Sequence, residues 1–183
     1  MSQFQQPKAW MVRASKGGRL AELFSERSCV ALGWNCLGNL IEYADSDALQ
    51  RAYINAYGDD KPAKIRNAVG MLQRFAKQIV KGDWVITYMP ARRLYLLGED
   101  LGAYRHVTES EWVDKYANLR SVNWLFTVPR DELSKTTQNS LGATLTLFSL
   151  NEAVINDLLA NAQALSRNNE GQNEDKQLCF PGY

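Results

Sequence analysis

The sequence is poor in the residues that chemistry most often needs. It has one histidine, His106, and three cysteines, Cys29, Cys36 and Cys179. A single histidine removes every His-pair zinc site and leaves any Ser–His or Cys–His system resting on one residue; in its polar setting His106 reads as a surface side chain. The cysteines form no CxxC pair, and Cys29 and Cys36, which flank the stretch ALGWN (31–35), read as small hydrophobes in a reducing compartment. Neither SKGG (15–18) nor GEDLG (98–102) matches a phosphate-binding loop or a dinucleotide fingerprint. Neighbouring Glu99 and Asp100 would point to opposite faces of a strand, which argues against a shared metal. No Glu-x-Lys element of a metal-dependent nuclease is found, and DELSK (131–135) has the wrong spacing. No apolar run approaches the about 18 residues that cross a bilayer, and MSQFQQPKAW at the N-terminus has no apolar signal core. These absences point to a cytoplasmic binding protein without metal, cofactor or membrane contact, and not to an enzyme. They give no signal of oligomeric state.

What is present suits one globular domain with a tail. The chain has 183 residues, 45% of them apolar and 22% charged, with a net charge of +1. Charge is unevenly spread. From Lys61 to Arg93 eight basic residues face one acid, Asp83, and the first twenty residues add Lys8, Arg13, Lys16 and Arg19 with no acid. Acids gather at 99–114 and around Glu170–Asp175. A nearly neutral chain can therefore carry a basic face, the usual footprint of phosphate contact, although solvated helix faces would look similar.

Periodicity predicts the order of elements. AWMVRAS (9–15) alternates as a strand, SKGGRL turns into a short helix over about 20–27, and CVALGW (29–34) is a second strand. Asp45 or Ser46 caps a helix over about 47–57, and a second helix runs over 62–80 on the stripe Ile65, Val69, Leu72, Phe75, Ile79. Gly82-Asp83 starts a strand in which Trp84, Ile86 and Tyr88 share a face; PARR turns it into RLYLLGE as a hairpin. SVNWLFTV (121–128) and LTLFSL (145–150) are further strands, and Asn151 caps a closing helix through about 164. SRNNEGQNEDK (166–176) reads as a linker or disordered tail, so the domain is placed at 1–165 and the tail at 166–183. The expected fold class is α+β: five or six strands in a mixed, partly closed barrel flanked by two to four helices.

Aromatic residues punctuate these strands. Tryptophans stand at 10, 34, 84, 112 and 124, four of them in or at the ends of predicted strands, and Tyr88 shares a face with Trp84. Arg13, Lys16 and Arg19 follow the first strand, and Arg92 and Arg93 the third. Aromatic faces stack on a nucleobase for about 1–3 kcal/mol each, and Arg and Lys neutralise phosphates. Core packing is the alternative for every tryptophan.

The succession WMVRASKGG, VALGW, LQRFAKQIVKGDWVITY, RLYLLGEDLGAYRH, LRSVNW and SLGATLTLF, over residues 8–150, resembles the EVE-like domain (PUA-like superfamily, kin to YTH and EVE readers) that precedes the nuclease in Mrr-type restriction endonucleases. The Gly82-Asp83 turn and the R-x-V-x-W element of Arg120, Val122 and Trp124 carry the resemblance most specifically. It implies a mixed PUA-like barrel that reads a modified base of DNA, flipped into an aromatic pocket, within a restriction or phage-defence system. The nuclease would lie in a domain in cis or trans, and the chain would be a domain of a longer enzyme or a stand-alone reader. Matching pocket positions are Trp10, Trp34, Trp84, Tyr88 and Trp124, with Arg13, Lys16, Arg19, Arg92, Arg93 and Arg120 on the nucleic-acid backbone. Spacing leaves open which of these aromatics form the cage and which the core; Trp34, at a strand end, is the first candidate for the pocket wall. RNA binding and recognition of methyl-lysine or another peptide are the other readings.

Overall fold

The computed structural model describes residues 6–58, 61–107 and 116–165. The tail from Ser166, Trp112 and Cys179 lie outside them. Among the described residues the chain is α+β, with seven strands in one mixed sheet and five α-helices. In chain order these are β1 (Ala9–Val12), α1 (Ala21–Glu26), β2 (Cys29–Leu32), α2 (Ser46–Tyr57), α3 (Pro62–Gln73), β3 (Trp84–Met89), β4 (Leu94–His106), β5 (Asn118–Pro129), α4 (Lys135–Leu141), β6 (Leu147–Leu150), α5 (Glu152–Ala160) and β7 (Gln163–Ala164).

The sheet order is β2-β5-β4-β3-β1-β6, with β7 added to the second half of β5. All pairings are antiparallel except β1 with β3, whose register sets Trp10 beside Val85 and Met11 beside Ile86. No pairing joins β2 to β6, so the sheet is open and the expected partial closure into a barrel is not seen.

Alternation along the strands divides the core into two layers. Trp10, Val12, Val85, Leu96 and Val122 pack with α1, α2 and α3 on one face; Ala9, Met11, Ile86, Tyr95 and Leu97 pack with α4 and α5 on the other. The helices start where expected. Asp45 accepts from the Ala48 N–H at 2.8 Å and Asn151 from the Val154 N–H at 3.0 Å, each satisfying a donor of the first turn.

Two buried carboxylates hold the central strands. Asp83 receives the Trp10 indole N–H at 2.9 Å, the Lys8 N–H at 3.0 Å and the Val80 N–H at 3.2 Å, which fixes the turn at Gly82 (φ +89°) to β1. Asp100 pairs with Arg120 through two bonds, Nε to Oδ2 at 2.7 Å and Nη2 to Oδ1 at 2.8 Å. The remaining Arg120 amine donates to the Phe75 carbonyl at 2.9 Å. Phe75 lies in a π-helical turn, Arg74–Gln78, which replaces the last turn of the predicted 62–80 helix.

Other departures have local causes. The predicted hairpin strand runs on to His106, so His106 is a half-buried strand residue and not a loop residue. β4 runs past two register shifts, one at Leu97/Gly98; there a Cβ on Gly98 would stand 2.5 Å from the Asn123 carbonyl, and only glycine permits the approach. The closing helix stops at Ala160 to let β7 pair with β5, and α4 had no apolar stripe long enough to announce it. Of the two cysteines expected as small hydrophobes, Cys29 is buried, its thiol pushed up to about 12 by desolvation, whereas Cys36 is exposed.

Candidate functional site

The parallel strands β1 and β3 end side by side, and the turns that follow them meet. A Cβ on Gly18 (φ +71°) would fall 2.4 Å from the Pro90 ring, so the SKGG and PARR turns touch only because position 18 is glycine. Two adjoining cavities open here, sharing Arg13, Ser15 and Gly17 in their walls.

The larger, of about 480 Å³, falls in the size range of small-molecule sites. Trp34 and Tyr116 are its aromatic residues, Thr144 and Thr146 lead into β6, and Arg13 and Lys16 supply positive charge. Among the described residues its wall contains no carboxylate. Trp34 is half-buried in the left-handed region at φ 59°, ψ 43°, a conformation rare for a bulky side chain. Its neighbours explain why. The Gly33 carbonyl accepts from the Asn118 side chain at 2.6 Å, and the Asn35 side chain accepts from the Ala117 N–H at 2.8 Å. Both anchors lie at the start of β5 and leave the residue between them no relaxed alternative. Such a backbone costs about 1–3 kcal/mol and persists only where the surroundings over-determine it, most often at functional sites. Ser15, on the opposite wall, also has a positive φ of 67°, and its hydroxyl accepts from the Tyr116 phenol at 3.0 Å. Arg13 is held by its backbone N–H on the Thr146 carbonyl at 2.9 Å and by its guanidinium on the Ala143 carbonyl at 2.7 Å.

The smaller cavity, of about 240 Å³, lies toward the α4 side. Tyr88 and Tyr95, with ring centroids 4.7 Å apart, line it with Arg13, Arg130 and Gln138. Burial raises the Tyr95 phenol above its ordinary value, against the pull of Arg130, which hydrogen-bonds it.

The family model of the domain of unknown function DUF8426 matches residues 10–151. The chain belongs to this family. No curated protein matches the chain. The matched span of the DUF8426 domain runs from β1 to the end of β6 and takes in the walls of both cavities.

Within the DUF8426 domain the predicted site residues separate into two groups. Trp34, Arg13 and Lys16 line the larger cavity and Tyr88 the smaller. The other three aromatics line neither. Trp10 is buried, its indole spent on Asp83; Trp124 donates to the Phe24 carbonyl at 2.9 Å; Trp84 packs on the second core layer, its ring 6.5 Å from Phe126. Trp84 and Tyr88 share a face as expected and both pack on the second core layer; four residues of strand, about 13 Å, separate them, and of the two only Tyr88 also lines a cavity. Arg120 is 2% exposed and committed to Asp100, which removes it from any phosphate-contacting face. Arg92 pairs with Glu22 at 3.0 Å and Arg93 with Asp131 at 2.9 Å, both on the surface; Arg19 is exposed beside the glycine turn.

Sequence reasoning missed Ser15, Tyr95, Tyr116, Arg130, Thr144 and Thr146. Arg130 follows β5 as Arg92 and Arg93 follow β3, a signal that was available. Among the described residues no three His, Cys, Asp or Glu side chains gather where they could hold a metal ion, and no helix is long and apolar enough to cross a membrane.

Proposed function

We propose that this chain is a nucleic-acid-binding module that holds a modified base of DNA in the larger cavity, against the ring of Trp34. The observation that carries this is Trp34 itself: a large aromatic kept in a costly backbone conformation, half-buried in a cavity whose charged residues, among the described ones, are Arg13 and Lys16. An apolar wall facing cationic side chains suits a flat, uncharged base joined to an anionic backbone. Arg13 and Lys16 would neutralise phosphate, with Arg19, Arg92 and Arg93 extending the contact; exposed ion pairs such as Arg92–Glu22 contribute little and exchange readily.

The module is a binder without catalysis of its own, the specificity element of a modification-dependent restriction or defence system in the cytoplasm. On this proposal its fold is EVE-like and PUA-like, with the seven-stranded sheet corresponding to a PUA-like barrel left open between β2 and β6. Fluorescence anisotropy with labelled duplexes tests it. Binding should fall steeply with added salt, because each neutralised phosphate releases counterions. A flat salt response would refute phosphate contact, and stronger binding of matched single-stranded RNA than of DNA would reassign the ligand.

A further inference from the structure

The proposed base site leaves the smaller cavity without a role, and its composition is unusual. Two guanidinium groups, Arg13 and Arg130, line it, and among the described residues no carboxylate does. Arg13 is half-buried and spends one of its five N–H donors on a neutral carbonyl, that of Ala143. Among the described residues it has no carboxylate partner. Arg130, 29% exposed, reaches Asp131 only at 3.9 Å, and that carboxylate is bound more closely by Arg93 at 2.9 Å. Gly17, at φ +68°, lines both cavities, and nothing among the described residues stands within 4 Å of where its Cβ would be. At about 240 Å³ the space is several times the about 30 Å³ of a water molecule. Two partly buried guanidinium groups so placed have donors left for an anion, and a planar guanidinium pairs best with a two-oxygen face of a phosphate.

We infer that the smaller cavity is an anion subsite that takes one phosphate group, held between Arg13 and Arg130. The inference rests on the base-binding role of the larger cavity for the source of that phosphate, since Arg13, Ser15 and Gly17 are common to both walls. A base seated against Trp34 has its own or a flanking phosphate within reach of the shared wall.

The test is calorimetric titration of the full chain with inorganic phosphate, against acetate at matched ionic strength. Phosphate should bind and acetate should not. Arg130→Gln should weaken phosphate by about tenfold or more, the effect of losing a charge-assisted hydrogen bond, and Arg130→Lys should recover part of it. Phenylglyoxal labelling of the wild-type chain, read by mass spectrometry, gives the same answer without a variant: phosphate should protect Arg13 and Arg130 and leave Arg92 reactive. Absence of phosphate binding, unchanged affinity in a folded Arg130→Gln, or absence of protection overturns the subsite.

The base reading is separated by Trp34→Ala. That variant should weaken a nucleoside 5′-monophosphate and leave inorganic phosphate unchanged; unchanged binding of both would sink base binding while the subsite stands. An oligonucleotide carrying a neutral methylphosphonate beside the modified base identifies the source. Weakened binding assigns a backbone phosphodiester, and unchanged binding with intact mononucleotide binding assigns a terminal phosphate.

Discussion

Replacing Arg120 with glutamine should destabilise the domain by about 3–5 kcal/mol, the range for breaking a buried ion pair by removing one partner. Arg120 is 2% and Asp100 1% exposed, and three bonds of 2.7–2.9 Å tie the guanidinium to Asp100 and to the Phe75 carbonyl. Without it, the Asp100 carboxylate keeps, among the described residues, the Gly102 N–H at 2.7 Å and loses its counter-charge. Domains of this size hold about 5–15 kcal/mol in total, so the variant should lose a large share. At about 2–4 °C per kcal/mol the melting temperature should fall by about 6–20 °C. Urea unfolding followed by tryptophan fluorescence measures the change. The double variant Asp100→Leu, Arg120→Met should recover much of the loss, because an apolar pair needs no counter-charge; recovery stays incomplete, since the Phe75 carbonyl still lacks its donor. A cost below about 1 kcal/mol for Arg120→Gln, together with lost oligonucleotide binding, would refute the structural assignment and return Arg120 to the phosphate-contacting face.

Glycines offer a paired comparison. Gly98→Ala should destabilise by about 1–3 kcal/mol, because its Cβ would meet the Asn123 carbonyl at 2.5 Å and Val122 at 2.8 Å. Gly33→Ala should leave stability unchanged or higher by up to about 1 kcal/mol, since the new Cβ makes ordinary contact with Tyr116 at 3.8 Å; both are read by chemical denaturation. Asp157 is held below its ordinary value of 3.8 by hydrogen bonds from Thr137, then Ser134 and Asn161. Its stabilisation is therefore full above 3.8 and is lost as pH falls through the lower folded-state value, so Asp157→Asn should flatten the acid limb of a urea-midpoint profile between pH 2 and 5.

Much of the fold was legible because period and caps agreed. Asp45, Asn151 and the Ile65–Val69–Leu72 stripe place their helices, and Trp84–Met89 forms the expected strand, with both of its faces covered by core layers. Open or closed, the sheet depends on whether β2 meets β6, a long-range pairing that leaves no local mark. The site was harder to read for a related reason. The most distinctive motifs, Gly-Asp at 82–83 and Arg120-x-Val122-x-Trp124, hold the fold: their polar atoms end on Trp10, Asp100 and Phe24. A tryptophan in a strand looks alike whether its indole meets a ligand or a buried carboxylate. Trp34 differed because it ends a strand after glycine, although Gly33 itself proves sterically dispensable. Its strain comes from Asn118 and Ala117, more than eighty residues away in sequence.

The most direct measurement is binding of the wild-type chain and Trp34→Ala to a duplex series: methylated adenine, methylated cytosine, hydroxymethylcytosine and unmodified. One modified duplex should bind more tightly than the unmodified control. Trp34→Ala should abolish that preference while its melting temperature stays within a few degrees of wild type, since the ring is only half-buried. Equal binding of all four duplexes, or an unchanged preference in a folded Trp34→Ala, would contradict the account.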